Sequence, residues 1–116
     1  MPSAGRASLD QDALGLLRRT MGSEAEFRSM LEEFLVASKR VWGDLDAAAR
    51  NGRNQDAERA AHTLKSMARM VGAFALADSC ADAEALAVRE PLPAGTVRTI
   101  EARLDAAQDA VQTCLG

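Results

Sequence analysis

The stretch AAHTLKSMARMVGA, residues 60–73, decides what kind of element this chain is built from. On a helical wheel at about 100° per residue centred on Leu64, Ala57, Ala60, Ala61, Met67, Ala68 and Val71 fall within roughly 60°. They form one continuous apolar stripe, so the spacing predicts a helix from about Gln55 to Val71 with that stripe buried. The far side carries Gln55, Glu58, Arg59, Ser66 and Arg69, with Lys65 and Met70 on the flanks. His62, the only histidine in the chain, lies about 160° from Leu64. It is therefore expected on the solvent side, where an imidazole does chemistry rather than packing.

The same periodicity extends in both directions. Toward the N-terminus, Phe27, Met30, Leu31, Phe34, Val41, Trp42, Leu45, Ala48 and Ala49 recur at helical spacing, predicting a long amphipathic helix from Glu24 to about Arg50. Ser23 and Glu26 form a capping box at its start, after a break at Gly22. Gly43 lies inside it at a cost of roughly 1 kcal/mol and marks a bend or a close approach. Gly52 closes the helix, and Asn54 is the expected cap of the next. Before all this, Leu9, Leu14, Leu16 and Leu17 make the apolar side of a short helix from Leu9 to about Thr20. Residues 1–8 are small and polar and are expected to be flexible.

Toward the C-terminus, Gly72 stops the His62 helix, and a further run from Ala73 to about Val88 carries Phe74, Leu76, Cys80, Ala83, Leu86 and Ala87. REPLPAG, residues 89–95, is the clearest loop. A last helix, about Thr96 to Leu115, shows Val97, Ile100, Leu104, Ala107, Val111 and Cys114. Long helices joined by short connections pack as antiparallel neighbours. The expected fold is all-α: an antiparallel up-and-down four-helix bundle with a short additional N-terminal helix, in one domain spanning residues 9–116.

Composition agrees and narrows the function. Apolar residues make up 47% of the 116, three prolines occur and tyrosine is absent, as in helical proteins. A formal net charge of −3 argues against binding nucleic acid, which needs a basic surface. No run of apolar residues is long enough to span a membrane. Cys80 and Cys114, the only cysteines, have no metal-site or redox spacing and are expected as reduced thiols in a cytoplasm.

An exposed imidazole is largely unprotonated and nucleophilic near neutral pH. Lys65, three residues on, can reach an anion held on that ring as a point charge. Ser66, four residues on, is small enough to let a partner protein approach. These residues resemble the signature of the histidine-containing phosphotransfer (HPt) family of bacterial phosphorelays. The family pattern is His-x-Leu-Lys-Gly, then small residues, a hydrophobic residue and Gly, and later Leu, Cys and Glu. It appears here as His62, Leu64, Lys65, Ala68, Val71, Gly72 and Ala73, continuing through Leu76, Cys80 and Glu84. The departure is Ser66, where the family most often has Gly.

The resemblance implies that His62 takes a phosphoryl group on Nε2 from the aspartyl phosphate of one receiver domain and passes it to another. Lys65 would screen the phosphate charge, and Ser66 and Arg69 would border the phosphate or the docking receiver. Gln55, Glu58, Arg59 and Met70 are the expected docking rim. Mg²⁺ would sit on the receiver, and no cofactor or metal is expected on this chain, because no acidic cluster is arranged to hold one. The partners would be response-regulator receivers or a hybrid histidine kinase, with no autonomous turnover and a monomeric bundle. Leu64, Ala68, Leu76 and Cys80 read as core packing and Gly72 as a turn. Glu84 is left between an exposed charge and a partner for a basic residue.

Three other functions compete. A metal-dependent bundle enzyme needs several inward-facing ligands, and one outward histidine does not supply them. A scaffold that binds receivers or kinases without carrying phosphate gives no reason for the His62–Lys65 pairing. A phosphoacceptor domain cut from a larger histidine kinase would carry the same residues.

Overall fold

The computed structural model describes residues 9–116; the expectation of a flexible N-terminus falls on residues 1–8, outside the described residues. Among the described residues there are five α-helices and no strand: α1 (Gln11–Thr20), α2 (Glu24–Arg50), α3 (Asn54–Met70), α4 (Phe74–Ala87) and α5 (Ala94–Leu115). Helices α2, α3, α4 and α5 each pack against the next, and α5 closes the ring on α2. The short α1 lies across the ends of α2 and α3. This is the expected four-helix bundle with its leading helix.

Two tight turns orient the helix that carries His62. Gly52 (φ +67°) and Gly72 (φ +78°) adopt the left-handed conformation that a side chain disfavours. At the first turn Arg53 N–H donates to Ala48 C=O (2.9 Å) and Gly52 N–H to Ala49 C=O (3.4 Å). At the second, Ala73 N–H donates to Ala68 C=O (2.8 Å) and Gly72 N–H to Arg69 C=O (3.2 Å). Both are Schellman motifs. In each, the residue after the glycine closes one helix and is also the N-cap of the next, without a side-chain capping bond. That corrects the expectation for Asn54: Arg53 is the cap, and Asn54 is already the first helical residue.

The α2 start follows the capping box with one change. Ser23 Oγ accepts from Glu26 N–H at 3.2 Å, but the Glu26 carboxylate accepts from Gly22 N–H at 2.8 Å. The missing side chain at Gly22 leaves the space it occupies, 2.6 Å from where a Cβ would stand. Gly43 is exposed with nothing near its absent Cβ, so it is not a close approach. Asp10 caps α1 by accepting from Ala13 N–H (2.8 Å), which starts that helix at Gln11 rather than Leu9. Leu16 and Phe74, expected on buried faces, are exposed. Each lies two residues from a buried leucine (Leu14, Leu76), and about 200° of helix separates such positions.

The core is built from one stripe of each helix, including Phe27, Leu31, Leu45, Leu64, Leu76 and Ile100. Buried Ala57, Ala60, Ala61 and Ala68 keep α3 narrow on its inner side, so its neighbours approach closely. A polar link crosses the core between α2 and α5. Gln108 Nε2 donates to Leu35 C=O (3.1 Å) and Ser38 Oγ (3.3 Å), and Ser38 Oγ donates to Phe34 C=O. All buried polar side-chain atoms among the described residues are thereby paired.

Candidate functional site

Leu64 is fully buried, and His62, on the opposite side of α3, has 58% of its side chain exposed. The wheel placed it correctly, but its surroundings are richer than the α3 sequence implied. Glu84 reaches across from α4 with both carboxylate oxygens engaged. Its Oε2 lies 2.9 Å from His62 Nδ1, and its Oε1 accepts from Lys65 Nζ at 2.5 Å. The alternative left open by the sequence is resolved: Glu84 is a partner for basic groups, and only about a quarter exposed.

The protonation of this trio follows from its contacts. The Lys65 hydrogen bond holds the Glu84 carboxyl below its ordinary range, partial burial opposes that, and the His62 hydrogen bond reinforces it. Glu84 is thus an ionised, acceptor-only group at neutral pH. The neutral imidazole facing it must donate from Nδ1, which leaves the proton there and the lone pair on Nε2. Among the described residues Nε2 has no hydrogen-bond partner. The ring is held at one nitrogen and open at the other.

Lys65 was expected to reach an anion held on the ring; its side chain is 16% exposed and rests on Glu84. Its charge still lies beside His62, through the shared carboxylate. Ser66 is exposed, and its Oγ donates to the His62 carbonyl at 3.2 Å, within α3. Gln55, Glu58 and Arg59 line one shallow depression with His62 and Glu84, about 290 Å³ in volume. Arg69 is exposed on the same helix. Met70 stands apart: it lines a separate groove on the α2 side with Met30, Phe34 and Met67. Leu64, Ala68, Leu76 and Cys80 are buried, and so is Gly72 in its turn. Burial pushes the Cys80 thiol up to about 12, so it stays protonated. Among the described residues no three His, Cys, Asp or Glu side chains gather as a metal-binding group.

Glu84 is the contact of His62 and Lys65 that wheel reasoning on α3 could not supply. The signal lay in the hairpin: folding the chain back at Gly72 sets His62, ten residues before it, near Glu84, twelve residues after.

A sequence model of the Hpt domain matches residues 29–113, most of the chain. The chain belongs to the Hpt domain family. The structure also superposes on the crystal structure of histidine-containing phosphotransfer protein B (HptB) from Pseudomonas aeruginosa PAO1. The TM-score is 0.88 at 25% identity, covering 95% of this chain and 96% of that one. A comparison with curated proteins finds no match. As an Hpt domain the chain serves histidine phosphotransfer in phosphorelays, and among its described residues no helix is long and apolar enough to cross a membrane.

Proposed function

We propose that His62 is the phosphoacceptor of a relay between receiver domains. Its Nε2 attacks the phosphorus of a receiver's aspartyl phosphate, the P–O bond to that aspartate breaks, and the phosphoryl group rests on the ring. A second receiver's aspartate then takes it. The observation that carries this reading is the Nδ1–Glu84 contact, which fixes the proton on one nitrogen and leaves the other as an exposed nucleophile.

Phosphoryl transfer through a loose transition state needs positioning and charge compensation more than covalent chemistry from the protein. The rigid α3 provides the first, and Lys65 beside the ring contributes to the second. Most of the compensation, Mg²⁺ included, would come from the receiver, so this chain acts as a carrier without turnover of its own, as a cytoplasmic monomer. The rim of Gln55, Glu58 and Arg59, with Ser66 and Arg69 along the same face, would meet the receiver. Met70, in its separate groove, would join only a partner that also covers the α2–α3 seam.

The test is transfer of labelled phosphate from phosphorylated receivers to the wild type and to His62→Gln, followed by a chase to a second receiver. Label on the wild type alone, acid-labile and base-stable, and moving on in the chase, supports the relay. Binding without label would favour a scaffold. Label only from a kinase would favour a dedicated kinase substrate.

A further inference from the structure

The resemblance assigns the phosphate to Lys65, Ser66 and Arg69, yet the space beside His62 opens the other way, toward the start of α3. We propose that Arg59 is the phosphate-binding residue of this chain. Once Nε2 of His62 carries phosphorus, the Arg59 guanidinium turns from Asp56 to pair with the phosphoryl oxygens. This rests on the relay reading above and adds which side chain meets the transferred group.

Side chains on an α-helix lean toward its N-terminus, so a residue covers the turn before its own Cα. His62 follows that rule. The depression it borders is lined by Gln55, Glu58 and Arg59 of α3 and by Glu84 of α4, and by none of Lys65, Ser66 or Arg69. Those three are engaged or placed elsewhere. Lys65 rests on Glu84, Ser66 Oγ donates to the His62 carbonyl, and Arg69 stands about two turns farther along α3. Arg59, three residues before His62, is its neighbour on the helix surface, with roughly 5–6 Å between Cβ atoms. A guanidinium spans that distance.

Charge selects the same residue. A phosphoryl group brings up to about two negative charges into a depression that already holds the Glu58 and Glu84 carboxylates. Lys65 offsets Glu84, and Arg59 is the one lysine or arginine on the lining among the described residues. Its planar fork of N–H donors fits phosphate oxygens two at a time. It is also weakly held. Its side chain is 79% exposed, and its ion contact with Asp56 is 4.0 Å long. Arg59 lines both this depression and the neighbouring cleft between α2 and α3, and no other residue lines both. Passing from one to the other takes only side-chain rotation, which leaves Asp56 in the cleft with Arg40 and Arg53. No atom of Arg59 is transferred. The Nε2 lone pair forms the P–N bond, the donor leaves with the electron pair of the bond that breaks, and Arg59 donates hydrogen bonds to the oxygens.

The experiment phosphorylates the full chain and its Arg59→Ala, Arg59→Lys and Arg69→Ala variants with phosphoramidate, followed by phosphorus NMR. This small donor needs no receiver, so the phosphate contact is read apart from docking. Its P–N bond breaks, ammonia leaves with that pair, and Nε2 takes the phosphoryl group. Arg59→Ala should accept phosphate about tenfold more slowly, as for the loss of one charge-assisted hydrogen bond, with unchanged far-UV circular dichroism. Arg59→Lys, which keeps the charge without the fork, should fall between, and Arg69→Ala should match the wild type. In a chain labelled with ¹⁵N-arginine, phosphorylation should shift one guanidinium signal that Arg59→Ala removes. A wild-type rate in Arg59→Ala, an equal loss in Arg69→Ala, or no shifted guanidinium overturns the proposal. Receivers that label neither the wild type nor any variant would remove the relay reading. Receivers that label the wild type, while Arg59→Ala accepts from phosphoramidate at the wild-type rate, would remove only this inference.

Discussion

Three glycine-to-alanine substitutions separate backbone strain from close packing, and the structure ranks them. Gly43 sits in the middle of α2, exposed, with no neighbour within 4 Å of a built Cβ. Alanine there should stabilise by roughly 0.5–1 kcal/mol through helix propensity. Gly52 has φ +67° but equally open surroundings, so alanine should cost about 1 kcal/mol, the left-handed penalty alone. Gly72 combines φ +78° with a Cβ position 2.9 Å from the Asp10 carbonyl oxygen and 3.1 Å from Ala13 Cβ. Those neighbours cannot swing aside without loosening the start of α1. Its bond from Asp10 N–H to Gly72 C=O (2.7 Å) is worth about 1 kcal/mol, and movement also begins to uncover Leu9 and Leu14. Gly72→Ala should therefore cost ~2–4 kcal/mol, lowering Tm by roughly 10 °C in a domain of this size. Urea unfolding followed by far-UV circular dichroism gives the three values, and amide exchange at Asp10 and Leu14 reports whether α1 loosens. Equal losses at positions 52 and 72 would refute the reasoning, because the contact with α1 would then contribute nothing.

Other expectations follow from the site and the core. His62→Gln should abolish phosphate acceptance while changing stability by no more than about 0.5 kcal/mol, as for an exposed side chain; Lys65→Ala should slow transfer without eliminating it, both read from labelling time courses and urea curves. The depressed Glu84 carboxyl contributes stability that is full above its unfolded value, about pH 4.3, and is lost as pH falls through its lower folded value. Unfolding curves across pH should accordingly show the stability gap between wild type and Glu84→Gln shrinking as pH falls below about 4.3. Cys80 is buried and its thiol pushed up to about 12, whereas Cys114 is partly exposed. An alkylating reagent counted by mass spectrometry should modify Cys114 in the folded protein and reach Cys80 only at the rate of unfolding.

The bundle was legible because its cause is local. Apolar residues at helical spacing, glycines at helix ends and a Pro-rich loop each act over a few residues, so α2 and the side of α3 that buries Leu64 were predictable from their own segments. Misreadings occurred where a decision depends on more than one segment. Asn54 looked like a cap, but the Schellman turn before it assigns that place to Arg53. Phe74 and Leu16 joined apolar runs by hydrophobicity while their angular positions faced outward. At the site, the wheel gave His62 its exposure and could not give it a neighbour from another helix. Glu84, nineteen residues from Lys65 and twenty-two from His62, makes Lys65 half of an ion pair and fixes which ring nitrogen is available. Met70 shared the α3 surface with His62 in projection, yet the packing of α2 assigns it to a different groove.

The single histidine makes the central claim directly measurable, since a chain labelled with ¹⁵N-histidine gives one imidazole to observe. Long-range proton–nitrogen spectra near neutral pH, before and after phosphorylation by a receiver, report which nitrogen holds the proton and which holds phosphorus. The account expects the neutral ring protonated at Nδ1, and phosphorus on Nε2 after transfer. A proton residing on Nε2, or phosphorus found on Nδ1 or on no histidine nitrogen at all, would contradict it.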